Sequence, residues 1–205
     1  MARRRALARR ADPLTRRVAD ARETVTVPIQ RFADHRVMPW PNGRGTSYEI
    51  ACDTPGRPGW TWRVAIAPVV DEGPFSHFEG VHRRMIVFEG GTMVLDVGGE
   101  TLACPLGVVV EFPGDVPTTA TLPDGPIVDL NLMTLRGRTD GSMRHATAPG
   151  PLGACDVVMV TSPTATIVVD GVAHALARRD AVVDARAHAL ALSDGSAAVM
   201  SITRA

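Results

Sequence analysis

Residues 60–70 read WTWRVAIAPVV. Successive side chains of a β-strand point to opposite faces. As a strand, this stretch puts Trp60, Trp62, Val64 and Ile66 on one face and Thr61, Arg63 and Ala65 on the other. The first face is apolar and reads as buried; the second sets one arginine among small neighbours. Residues 128–133, VDLNLM, behave alike, with Leu130 and Leu132 on one face and Asp129, Asn131 and Met133 on the other. Alternation leaves open whether these polar faces turn inward or out to water. Inward, Arg63 and Asp129 can pair and Asn131 offers a donor and an acceptor to a ligand. Outward, all three are ordinary solvent-facing residues.

The same kind of text fills the chain from Val25 onward. Short runs such as SYEIAC (47–52), RMIVFEG (84–90), IVDLNLMTL (127–135), ATIVVDG (165–171) and AAVMSIT (197–203) recur about every ten residues, separated by Gly, Pro, Asp and Asn. That spacing predicts an all-β sandwich or barrel. HALARRDAVVDARAHALAL (174–192) is rich in Ala, yet its Val-Val and Asp breaks suit two strands and a turn. DVGGETLACPLGVVVEF (96–112) echoes VVDGVAHALARRDAVVDA (168–185), with one residue inserted. The echo predicts two β units of similar build, 25–138 and 139–205, joined by a linker-like TDGSMRHATAPGPLGA (139–154).

Composition bounds the rest. At 205 residues and 45% hydrophobic, the chain can bury a substantial core. All 22 basic residues are Arg, and eight of them fall in residues 1–22 against two Asp, a local charge of +6 on a body of −6. This tail, residues 1–24, is expected to be disordered; with no aromatic residues interleaved, it does not assign nucleic acid as a partner. No apolar stretch follows those charges as a signal peptide requires, and no run approaches a membrane span. Cys52, Cys104 and Cys155 are odd in number and lack a CxxC pair, which reads as free thiols and a cytoplasmic protein. Every Phe, Trp and Tyr lies within residues 32–112, so the first unit is the expected home of a small-molecule site.

Catalytic signatures are missing: there is no G-x-S-x-G, no H-E-x-x-H and no Walker-type loop. PWPNGRGTSYEIA (39–51) has two glycines around an arginine, but no Lys-Ser/Thr end and no helix to follow, so a phosphate loop is rejected. His77, His82 and Glu89 form the one metal set worth carrying as an alternative; five residues between the histidines does not place them on one strand face. No cofactor and no catalytic residue are assigned.

Taken in order, PWPNGRGTSYEIA, WTWRVAIAPV, DEGPFSHFEGVHRRMIVFEG, FPGD and DGPIVDLNLMTLRG resemble the HutD/Ves family over about residues 28–137. The resemblance implies a double cupin, two barrel or sandwich units of double-stranded β-helix type, without metal. It implies ligand contacts at Trp40, Asn42, Arg44, Thr46, Trp62, Arg63, Arg83, Asp129, Asn131 and Met133, and favours the inward reading. In that reading Arg63 anchors a small carboxylate, Asp129 fixes Arg63, Asn131 selects, and Trp40 or Trp62 forms a wall. The implied role is a non-catalytic sensor or regulator linked to histidine utilisation or stress response, with a metal-dependent isomerase or oxygenase as the alternative; a homodimer is left open. Four positions depart from the family pattern: Arg44 stands for Gly, His82 for an acid, Ala65 for Ser and Tyr48 for Arg.

Overall fold

The computed structural model describes residues 27–40, 43 and 45–204. The arginine-rich tail, Asn42 and Arg44 lie outside the described residues. The first half contributes β1 (Ile29–Gln30), β2 (Arg36–Pro39), β3 (Thr46–Cys52), β4 (Trp62–Val69), β5 (Gly73–Pro74), β6 (Val81–Glu89), β7 (Met93–Val97), β8 (Glu100–Cys104), β9 (Val109–Pro113), β10 (Thr118–Thr121) and β11 (Ile127–Leu135). The second contributes β12 (Thr139–Ala146), β13 (Gly150–Pro151), β14 (Val157–Val160), β15 (Thr164–Val169), β16 (Val172–Ala177), β17 (Ala181–Val182), β18 (Leu190–Asp194) and β19 (Ala197–Arg204). Two 3₁₀ turns, Phe32–Asp34 and Ala185–Ala187, are the helical elements among the described residues. No helix there is long and apolar enough to cross a membrane.

Among the described residues the strands form four open sheets rather than closed barrels. In the first unit, the order β2-β3-β4-β11-β6-β9 faces a smaller sheet, β5-β10-β7-β8. In the second, β12-β19-β14-β17 faces β13-β18-β15-β16. The eight strands β4 to β11 and the eight strands β12 to β19 therefore repeat one connectivity. The echo noted in the sequence is this repeat: hairpin β7–β8 followed by β9 corresponds to hairpin β15–β16 followed by β17. Two additions break the symmetry. The first unit carries β2 and β3 on its larger sheet, and β1 crosses over to pair with β17 of the second unit.

Residues 139–146 are not a linker. They form β12, paired with β19 at all eight positions. Gly, Ser and Thr suggested a crossing, but Met143 and Ala146 bury their side chains and the ladder supplies the rest. The units are instead joined by the three residues 136–138, with the Arg138 N–H bonded to the Leu135 carbonyl.

Three apolar clusters hold the layers. One lies inside each unit, and a third lies between them, where Val64, Ile66, Ile86, Leu130 and Leu132 meet Val157, Met159, Ala198 and Met200. Each fully buried Leu or Ile contributes roughly 1.5–3 kcal/mol relative to exposure. That third cluster decides the orientation of the polar faces. Because the Val64–Ile66 and Leu130–Leu132 faces are consumed between the units, Arg63, Asp129 and Asn131 must turn into the first unit.

Candidate functional site

Register places the site residues. Arg63 on β4 lies opposite Met133 on β11, which lies opposite Arg83 on β6, which lies opposite Phe112 on β9. Residues directly opposite share a face. The row Arg63–Met133–Arg83–Phe112 therefore forms one edge of a floor, with adjacent strands about 4.8 Å apart. One step along, Ala65 lies opposite Asn131; a further step brings Ala67 opposite Asp129. The floor opens into a cavity of about 160 Å³, walled by Trp40 and Ser47 from the β2–β3 hairpin and by residues 70–76 and Phe78.

Arg83 is 6% exposed. Its Nε and Nη2 both donate to Asn131 Oδ1, the former at 3.2 Å. Its guanidinium carbon packs 4.8 Å from the Phe75 ring centre and 5.0 Å from that of Phe112. Among the described residues it has an amide, not a carboxylate, as its direct partner. Burial pulls its pKa down to about 10, against the opposing charge of Asp129. It remains a cation at neutral pH.

Asn131 can accept from Arg83 only through its oxygen, because a guanidinium has no acceptor. Its amide nitrogen is thereby turned to Asp129 Oδ1, to which it donates. Asp129 is 1% exposed, and its Oδ2 has no hydrogen-bond partner among the described residues. Burial pushes the carboxyl up to about 7; Arg83 and Asn131 offset part of that rise. Nearby, burial and the Asp129 charge push the Cys104 thiol up to about 12.

Arg63 is held differently from the expectation. Its Nε lies 3.2 Å from Glu49 Oε2, close enough for an ion pair but out of line for a hydrogen bond. Nη2 lies 3.5 Å from Met38 Sδ. Burial lowers its pKa, with Glu49 opposing. Glu49 also receives Arg36 at 2.8 Å, so one buried carboxylate bridges two guanidinia. Glu49 thus does for Arg63 what Asp129 was expected to do; Asp129 connects to Arg83 through Asn131. The missed signal was alternation in β3: Ser47 and Glu49 share the face opposite Tyr48 and Ile50, and Ser47 lines the cavity. A bulge after Glu49 then shifts the register before Ala51.

Of the residues expected at the site, Trp40, Arg63, Arg83, Asp129, Asn131 and Met133 line the cavity. Trp62 does not. It occupies the other face of β4, packed on the cluster between the units. Thr46 pairs with Pro39 at the start of β3 and is not part of the lining. The glycine after Arg44 has a packing reason: a Cβ on Gly45 would fall 2.7 Å from the Trp40 indole. The indole rests on that glycine while its Nε1–H donates to Ser47 Oγ at 2.8 Å. Of the described departures from the family pattern, Ala65 lines the cavity, whereas Tyr48 packs against Phe32 and His82 pairs with Glu111.

The alternative metal set does not assemble. His77 contacts Glu79, His82 contacts Glu111, and Glu89 receives Arg178 and Arg179 of the second unit. His82 and Glu89 stand at opposite ends of β6, about 23 Å apart along an extended strand. Among the described residues no group of three His, Cys, Asp or Glu could hold a metal ion. The FPGD motif is structural too: Asp115 accepts from the Gly80 N–H and from Arg136, whose hydrogen bond holds the carboxyl down at about 2.

A family model described as HutD matches residues 32–200. Protein Ves of Citrobacter koseri is 38% identical over 120 residues, 56% of this chain and 63% of that protein. An uncharacterised 21.2 kDa protein of the hutC 3′ region in Pseudomonas putida is 36% identical over 107 residues, 51% of this chain and 56% of that protein. Both matches thus span less than two thirds of the relative's length. Among solved structures, HutD from Pseudomonas fluorescens SBW25, in a formate condition, superposes with a TM-score of 0.73 at 27% identity, covering 86% of this chain and 98% of that one.

Proposed function

The chain belongs to the HutD family, and on that premise we propose that its N-terminal cavity binds a small metabolite bearing a carboxylate. One observation carries the reading. Arg83 is a buried cation lining a cavity, oriented by an amide and two aromatic rings, without a direct carboxylate partner among the described residues. A guanidinium fork matches the two oxygens of a carboxylate, and the pairing gains strength away from water. Arg83 is therefore the principal anchor. Arg63 is the second cation, already partly neutralised by Glu49. A cavity of about 160 Å³ suits a metabolite of a few heavy atoms better than a coenzyme, since drug-sized ligands occupy roughly 300–1,000 Å³.

The role that fits is a binder that senses or restrains a pathway intermediate. The gene neighbourhood in the name of the Pseudomonas relative supports a link to histidine utilisation. The repeated eight-strand unit supports reading the two halves as a pair of cupins. Calorimetry with small mono- and dicarboxylates, intermediates of histidine breakdown among them, tests the proposal. At least one should bind, and Arg83→Ala should weaken it by at least about tenfold, matching roughly 1.5–3 kcal/mol for a charged hydrogen bond. Failure of every carboxylate to bind, or unchanged affinity in a folded Arg83→Ala protein, would refute it.

A further inference from the structure

Asp129 is unusual for a residue on the floor of an anion site. A carboxylate there should repel the ligand that Arg83 attracts. Geometry resolves the conflict. Asn131 stands between Asp129 and Arg83, so the guanidinium is one amide away from the carboxyl instead of paired with it. Oδ1 is occupied by Asn131, and Oδ2 is buried without a partner among the described residues. A proton on Oδ2 would turn this carboxyl into a hydrogen-bond donor, as an uncharged acid in an apolar site can be. We propose that Asp129 enters the complex as a neutral carboxyl whose Oδ2–H donates to a ligand carboxylate oxygen, so that in alkaline solution the cavity takes up one proton with each carboxylate it binds. The inference rests on the carboxylate reading of the cavity.

The surroundings leave Asp129 as the group that titrates. Arg83 acts on it from β6 and is cationic at neutral pH; on β4 its direct partner is Ala67, with Arg63 four residues away, and the buried Cys104 of β8 lies within reach of its charge. Glu49 is committed to Arg36 and Arg63. Asp71 and Glu72 complete the charged lining, and the Glu72 carboxylate accepts the Leu122 N–H. No histidine lines the cavity among the described residues. The free carboxyl titrates near pH 7. Below that pH the proton is already in place, and above it each binding event must draw one from the buffer.

The probes are formate, fully ionised above about pH 6, and glutarate, whose second carboxyl is fully ionised only above about pH 7. Each is titrated calorimetrically into the full-length protein at matched pH in two buffers of different ionisation enthalpy. Proton uptake should rise from near zero at about pH 6 to near one at about pH 8.5, and affinity should fall about tenfold per pH unit above about 7. Asp129→Asn, which keeps a neutral donor, should bind the same probe with affinity flat in pH and no proton uptake. Binding with pH-independent affinity and no buffer dependence in the unaltered protein would overturn the proposal while leaving the carboxylate site standing. So would an Asp129→Asn protein that keeps the original pH slope. Failure of both probes to bind at any pH would overturn this proposal, and failure of the other small carboxylates with them would overturn the carboxylate reading itself.

Discussion

Replacing Asp129 by Asn should stabilise the folded protein in alkaline solution and leave it unchanged in acid. The carboxyl is moved from 3.8 to about 7 by burial. That displacement disfavours its ionised form in the fold by about 4 kcal/mol. Below about pH 3 the group is neutral in both folded and unfolded chains and contributes nothing. Between 3.8 and about 7 the unfolded chain has released its proton and the folded chain has kept it. Stability therefore falls as pH rises through that window, and the full cost persists above it. Asparagine does not titrate, and its carbonyl oxygen can still accept from the Asn131 amide. Urea unfolding at closely spaced pH values should show the two proteins equal near pH 3. The variant should gain through the window and level off about 4 kcal/mol ahead near pH 8.5, corresponding to about 10 °C in Tm. A difference independent of pH, or a variant less stable than the parent at pH 8.5, would refute the reasoning about the uncompensated carboxyl.

Three further outcomes follow from the same geometry. Glu49→Gln removes the anion that competes for Arg63, so carboxylate affinity should rise several-fold while stability drops by about 1–3 kcal/mol; weaker binding would show that Glu49 aids the ligand. Gly90 and Gly125 both have positive φ, but a Cβ on Gly90 would sit 2.3 Å from the Pro126 carbonyl oxygen, whereas one on Gly125 meets nothing within 4 Å. Chemical denaturation should show Gly125→Ala costing about 1 kcal/mol and Gly90→Ala about 3 kcal/mol or more, and equal losses would contradict the close approach. Leu132→Ala, in the fully buried cluster between the units, should cost about 2–5 kcal/mol in the same assay. A loss below about 1 kcal/mol would mean that the two units are not packed through that face.

Much of this was legible in short stretches. Alternation in residues 62–66 and 128–133 correctly divided each strand into an apolar and a polar face, because the period of a strand is a local property of the backbone; Trp60, expected on the apolar face, precedes β4 and packs against Phe78 instead. The family motifs drew attention to Arg83, which alternation alone had not singled out. The partners of the arginines were not legible. Glu49 reaches Arg63 across a β-bulge between β3 and β4, and a bulge shifts register without a mark in the sequence. Trp62 was expected as a cavity wall although its own alternation placed it with Val64 and Ile66. Composition misled at residues 139–154, where Gly, Ser and Thr occupy a strand stabilised by its neighbour β19.

By itself the sequence determined an all-β chain, a repeated unit, the family, and which side chains share a face. Those properties rest on residue periodicity and on motifs within single strands. Tertiary structure alone decided that the polar faces of β4 and β11 turn inward, because their apolar faces are buried against the second unit. It also decided that Arg83 is bonded to Asn131 while Arg63 is held by Glu49, and that Asp129 has one oxygen without a partner among the described residues. Charges brought together by strand pairing interact across distances that sequence order does not encode.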